Sequence, residues 1–174
     1  NILGGTFTSL INMNIREGKH WSYGARSLVI DARGQRPFLA YAPVQGDKTK
    51  ETVQEIHKEL KEIIGSRPAQ QEELDKIQKN EILGLPGTWE TIQSVGRSLS
   101  EMVVFDLPDS YYQTYPEKVK NLKLNDISAA AKKILRPDQT VWVVVGDRTM
   151  VEPALKELGW GEIQVIDVDG KPVK

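Results

Sequence analysis

The sequence predicts an α+β domain, a two-layer sandwich in which helices cover one face of a mixed, mainly antiparallel sheet. Three observations carry that expectation. Two short aromatic and aliphatic runs stand near the start, a long middle has helical periodicity, and two further apolar runs, rich in valine and isoleucine, stand near the end. Strands at both ends with helices between them are satisfied by one sheet under one helical layer.

From Ile2 to Ile15, Leu3, Phe7, Leu10, Ile11 and Ile15 recur at helical spacing, and Gly18 after Arg16-Glu17 supplies a stop. Tyr23 to Ile30 and Pro37 to Val44 then read as two antiparallel strands, joined by Asp31-Ala32-Arg33-Gly34-Gln35. Asp47 is placed to cap a helix whose Val53, Ile56, Leu60 and Ile63 share one face. The charges of Lys48 to Glu62 carry both signs at helical spacing, which is the pattern of a solvated face.

Beyond Gly65-Ser66-Arg67-Pro68, a helix is expected over Gln70 to Leu83. A second follows the turn Gly84-Leu85-Pro86-Gly87 and runs from Thr88 to Val104, with Trp89, Ile92, Gly96, Leu99 and Val103 along one stripe. Ser110 to Leu122 and a helix capped by Asn125 and ending at Leu135 continue the layer. Thr140 to Val145 should be a buried strand, Val151 to Leu158 a short helix, and Ile163 to Val168 a last strand. No repeat or low-complexity tract interrupts this order, so residues 1–174 are expected to form a single domain. The start Asn1-Ile2-Leu3, without methionine and inside an apolar pattern, suggests a fragment lacking its first strand or strands.

Composition narrows the function classes. With 39% hydrophobic and 27% charged residues the chain has ordinary globular usage, and 23 Lys and Arg against 24 Asp and Glu give no field to attract nucleic acid. The absence of cysteine removes disulfides, thiolate metal ligands and cysteine nucleophiles together. No stretch approaches the roughly 18 apolar residues of a membrane span.

Motifs narrow them further. His20 and His57 stand in neither H-E-x-x-H nor H-x-x-E-H, the spacings that set two imidazoles on one helical face for zinc. His57, on the charged helix, reads as an exposed or edge histidine. There is no G-x-S-x-G elbow for a serine nucleophile, and Leu3-Gly4-Gly5 and Val145-Gly146-Asp147 lack the context of a phosphate-binding loop. Tyr111, Tyr112 and Tyr115 read as half-buried core edges.

The unusual stretch is the polar and aromatic junction from Asn12 to Ser27. Preceded by Leu3-Gly4-Gly5, Phe7 and Ser9, it resembles the L-G-G…S-R-L…L-R-E…Y-G-x-S pattern of zinc metallopeptidases of the pitrilysin, insulysin and mitochondrial processing peptidase family. The helices, Val141 to Asp147 and the last predicted strand extend the resemblance over nearly the whole chain. Ser9-Leu10-Ile11-Asn12 departs from the serine-arginine-leucine form.

The resemblance implies the fold of a zinc-less, C-terminal domain like those of the mitochondrial processing peptidase. It also implies a role: such a domain closes a substrate chamber over a catalytic domain that carries the inverted zinc motif. In the family an arginine and a tyrosine seven positions apart reach from this junction to the catalytic centre, and Arg16 and Tyr23 match them. A phenol and a guanidinium are suitable donors to substrate carbonyls and to a developing oxyanion. Spacing alone is equally met by Arg16 complementing a helix C-terminus and Tyr23 packing as a strand aromatic. Gly4 and Gly5 match a glycine-rich stretch near the substrate chamber, where ordinary close packing is the other reading.

The expected cofactor is therefore none in this chain, with zinc in the partner. The expected partners are a catalytic zinc domain, in the same polypeptide or a homologous subunit, and a peptide substrate. The isolated chain is expected to be inactive. The alternative within the same family is a scaffold or protein-interaction domain without peptidase activity. By resemblance, the periplasm or cell envelope of a bacterium is the favoured location.

Overall fold

The computed structural model describes residues 1–173, and its centre is the helix α2, Thr49–Ile64. Val53, Ile56, Leu60 and Ile63 recur every three or four residues on α2 and all four are buried, as their spacing predicts. Ile56, Leu60 and Ile63 form one cluster with Ile2, Leu3, Ile11, Ile15, Ala25 and Leu135, which draws both ends of the chain onto one helix face. The helix ends at Gly65, as expected, but Asp47 does not cap it. Asp47 lies in a 3-10 turn, Gly46–Lys48, two residues before the first α2 residue.

Upstream, the helix expected from Ile2 is much shorter. Residues 2–8 form turns, α1 spans Leu10–Asn12, and Met13–Gly18 is wound as a π-helix. The cause is long-range: the Gly4 carbonyl accepts the Ser27 N–H at 2.9 Å, and the Ile2 and Leu3 carbonyls accept from Leu10 and Ile11 at 3.1 and 3.0 Å. Those carbonyls are thus engaged outside a regular helical ladder, and Ile2 and Leu3 still enter the core.

The two expected neighbouring strands are present as β1, Arg26–Val29, and β2, Phe38–Tyr41, antiparallel with Arg26 opposite Tyr41 and Val29 opposite Phe38. Ser22 and Val44 extend the pairing as an isolated bridge. Phe38, Ala40, Ala42 and Val44 alternate toward the α2 core, the period-2 pattern of a half-buried strand.

The helical layer follows as α3, Gln71–Gly84; α4, Ile92–Val104; α5, Tyr111–Lys120; α6, Leu124–Ile134; and α7, Arg148–Lys156. α6 and α7 pack on α2, and α5 packs on α3. Tyr115 fixes the α3–α5 contact by donating its hydroxyl to Glu81 Oε2 at 2.9 Å. Asn125 is not the cap of α6; the Asp126 carboxylate accepts the Lys123 N–H at 2.9 Å and closes that end instead. α4 begins later than Thr88, behind a 3-10 turn at Pro86–Trp89, with Thr91 Oγ1 accepting the Ser94 N–H. Its expected stripe is not core: Ile92, Leu99 and Val103 are exposed, and Trp89 alone of the large residues is half-buried.

Neither closing strand forms. Thr140 to Val145 has no regular secondary structure; Trp142 and Val144 are half-buried, but Val141, Val143 and Val145 are 85%, 76% and 96% exposed. A strand is defined by its ladder, and among the described residues no strand pairs with this one. Ile163 to Val168 contributes only a bridge between Ile166 and Pro172. The molecule is therefore an α+β fold, mostly helical, with a two-stranded antiparallel sheet in place of the larger sheet expected.

Two outcomes follow. Leu60→Ala should lower unfolding free energy by about 2–5 kcal/mol in urea titration, because the side chain is only 3% exposed at the centre of the cluster. Burial and the Glu81 carboxylate push the Tyr115 hydroxyl up to about 12. Above pH ~10 the unfolded chain ionises this phenol while the folded chain keeps its proton, so stability should fall between pH ~10 and 12. Tyr115→Phe should flatten that part of a melting temperature against pH curve.

Candidate functional site

The junction singled out by sequence is built from a helix of unusual winding and a backbone held at several points. In the π-helix the Lys19 N–H reaches the Asn14 carbonyl at 3.0 Å, five residues back, and the Trp21 N–H reaches Ile15 at 3.1 Å. π-turns of this kind are rare and concentrate at functional sites. The chain then leaves through His20, a non-glycine residue at φ 58°, in the left-handed region that costs such residues energy.

Three polar side chains pin this path. Asn12, 4% exposed, donates from Nδ2 to the Phe7 carbonyl at 2.6 Å and accepts the Ala25 N–H on Oδ1 at 3.0 Å. It thereby ties the glycine-rich turn, the helix and the start of β1 together. Ser22 Oγ accepts the Gly24 N–H at 3.0 Å and faces the Pro43 carbonyl at 2.6 Å. Asn14 Nδ2 donates to Glu59 and Glu55 on α2 at 2.8 and 2.9 Å. Sequence reasoning missed all three. The available signal was the polarity of Asn12 and Asn14 inside an apolar helical pattern, where each needs a partner.

Arg16 lies within the π-helix, half-exposed, with Nε 3.1 Å from Glu17 Oε1 and its guanidinium 4.7 Å from the centre of the Phe7 ring. Tyr23 precedes β1 and is 96% exposed, so it does not pack as a strand aromatic. Among the described residues no hydrogen bond joins Arg16 to Tyr23.

Gly4 and Gly5 differ. Gly4 is buried against β1, where an added Cβ would stand 2.3 Å from the Ser27 nitrogen. Gly5 is exposed beside Asn1. For Gly4 close packing against the strand is thus directly visible.

His57 lies apart from the junction, and His20 lies within it. His57 is half-buried, its Nε2 3.3 Å from Asp138 Oδ1 and its ring 4.6 Å from that of Trp160, and His20 is exposed. Hydrogen bonds from Lys61 and then His57 hold the Asp138 carboxyl below its usual range. Among the described residues no group of three or more His, Asp or Glu could hold a metal, and the residues present do not fit a zinc site. Tyr111, Tyr112 and Trp89 stack edge to face with centroids 5.1 and 5.2 Å apart, half-buried at the α4–α5 flank. Of two surface concavities, one lies along α7 and one between residues 2–9 and α3, and neither includes Arg16 or Tyr23. No helix of the described residues is long and apolar enough to cross a membrane.

A mostly helical α+β domain with a polar helix-to-strand junction and no zinc ligand set is the class that fold and site define. Residues 1–81 match the family model of the peptidase M16 inactive domain. The match contains the whole junction, Gly4 and Gly5, and α2.

Solved structures extend the fold likeness. The peptidase M16 inactive domain from Pseudomonas fluorescens superposes with a TM-score of 0.70 at 23% identity, over 79% of this chain and 33% of that one. A protease from Helicobacter pylori gives 0.64 at 20% identity, over 76% of this chain and 32% of that one. A protein of Bordetella pertussis Tohama I gives 0.61 at 22% identity, over 78% and 74%. The chain thus spans about a third of the length of the first two structures. No curated protein matches it.

Gly4→Ala should destabilise the fold by roughly 1–3 kcal/mol, because the new methyl meets strand backbone that cannot give way. The measurement is the urea midpoint. A midpoint equal to the wild type would remove the close-packing role of Gly4.

Proposed function

We propose that this chain is a non-metal-binding domain of a zinc metallopeptidase that closes the substrate chamber and positions peptide for hydrolysis by a catalytic partner. The observation that carries this reading is the near-complete exposure of Tyr23 on a junction whose backbone is fixed on both sides by Asn12 and Ser22. A large aromatic held rigidly in water makes no contribution to its own core, and its phenol is free to meet a group brought from outside.

The match of residues 1–81 to an inactive peptidase domain supports the same reading. In this reading the hydrolytic metal belongs to another domain or subunit. There, zinc would activate water for attack on a peptide carbonyl. The work left to this chain is donation: the Tyr23 hydroxyl toward the oxyanion and the Arg16 guanidinium toward substrate carbonyls. The glycine-rich turn at Gly4 and Gly5 would border the chamber on the same side as β1.

The test joins this chain to the partner that carries the inverted zinc motif and follows peptide turnover. Tyr23→Phe removes one hydroxyl from an exposed position and should leave folding unchanged while lowering kcat about 10²–10³-fold, the range for loss of one oxyanion donor. Unchanged turnover would remove the proposed donor role of Tyr23.

A further inference from the structure

The winding of the segment that bears Arg16 has a specific cause on the neighbouring helix. Glu55 of α2 is gripped from two residues of the junction: Asn14 Nδ2 donates to its Oε2 at 2.9 Å, and Lys19 Nζ lies 3.2 Å from its Oε1. Asn14 and Lys19 are the two residues whose backbones are joined by the five-residue π-helical hydrogen bond at 3.0 Å. On a regular α-helix, residues five apart point about 140° away from one another, so one carboxylate could not hold both. The wider π-turn brings them to the same side.

Glu59, one turn further along α2, accepts the second proton of the Asn14 amide at 2.8 Å and is itself buried, 9% exposed. A carboxylate so placed requires a donor, and Asn14 is that donor. Burial pushes the Glu55 carboxyl up, but the hydrogen bonds from Asn14 and Lys19, with the Lys19 charge, bring it below its ordinary value. The bracket is therefore an ionised, charge-assisted one.

We infer that Glu55, assisted by Glu59, is a positioning residue that selects the π-register of Met13–Gly18 and so fixes where Arg16 stands. Its functional meaning rests on the substrate-orienting role proposed for Arg16. Glu55 touches no substrate in this scheme; it acts through the helix turn between its two partners.

The experiment uses the intact polypeptide that contains this chain, with its zinc-bearing partner. Glu55→Ala keeps a strong helix former in α2 and removes the bracket. Amide exchange at residues 19 and 21 should rise about tenfold or more relative to the α2 interior, as expected for loss of charge-assisted hydrogen bonds. Turnover should fall with it.

Glu55→Gln keeps the side-chain length and one acceptor oxygen for the Asn14 amide but loses the charge that draws Lys19. It should give protection and turnover between those of the wild type and of Glu55→Ala. Exchange that does not respond to Glu55→Ala, or is no better protected in Glu55→Gln than in Glu55→Ala, overturns the inference. If exchange follows the bracket but turnover is indifferent to both Glu55→Ala and Arg16→Ala, the substrate role of Arg16 fails and the register-setting role of Glu55 stands.

Discussion

The burial of one face of α2 organises everything else. Ile56, Leu60 and Ile63 meet Ile11 and Ile15 from the junction and Leu135 from the end of α6, each side chain contributing about 1.5–3 kcal/mol on leaving water. The adjoining stripe of the same helix presents Glu55 and Glu59 to Asn14 and Lys19. Apolar packing thus brings the junction to α2, and polar contacts decide how its backbone is wound once there. The C-terminal half is attached on α2 as well, through Lys50 to Glu157 at 2.5 Å, Lys61 to Asp138 at 3.0 Å, and His57 against Trp142 and Trp160. The partners Glu157 and Asp138 are largely in water, so these ion pairs contribute little, and the buried Val151 and Leu135 carry more of the attachment.

The junction combines features that a chain avoids unless its surroundings impose them. A π-helix, a left-handed His20, a buried Asn12 and a half-buried Asn14 lie within nine residues. Strained conformations persist only where neighbouring contacts over-determine them, and here they do. Asn12 spans three segments, Ser22 bridges to Pro43, and Gln45 donates its N–H to the Trp21 carbonyl at 3.1 Å. The result is a stiff platform that ends in an exposed tyrosine.

What could be read from sequence was what local pattern dictates. The α2 face, the hairpin of β1 and β2, and the order of the helices follow from periodicities of 3.6 and 2. Arg16, Tyr23, Gly4 and Gly5 are marked by the resemblance to the metallopeptidase pattern, since their spacing alone is equally met by structural roles. The failures share one cause: dependence on a distant partner. Ile2 and Leu3 are spaced as helix residues, but their carbonyls are taken by Leu10 and Ile11. Val141, Val143 and Val145 have the composition of a strand, yet composition supplies no neighbouring ladder. The caps at Asp47 and Asn125 were displaced by one or two residues, within the ordinary uncertainty of helix ends. The bracket on Glu55 was invisible because it joins residues 36 and 41 positions apart.

The exposure of Tyr23 also constrains when it could act. In water a phenol or guanidinium is screened and hydrated, so a single donor there adds little to any encounter. The same donor under a covering surface, with water excluded, interacts several times more strongly. In the proposed role, closure over substrate is therefore the event that gives Tyr23 and Arg16 their effect. A flexible loop would lose conformational freedom at that moment, and the loss would offset the gain. A junction already locked by Asn12, Ser22 and the α2 carboxylates has met that cost during folding. On this view the π-helix and the zinc-less character belong together: a domain that supplies only positioned donors is effective to the extent that its backbone is fixed before the partner arrives.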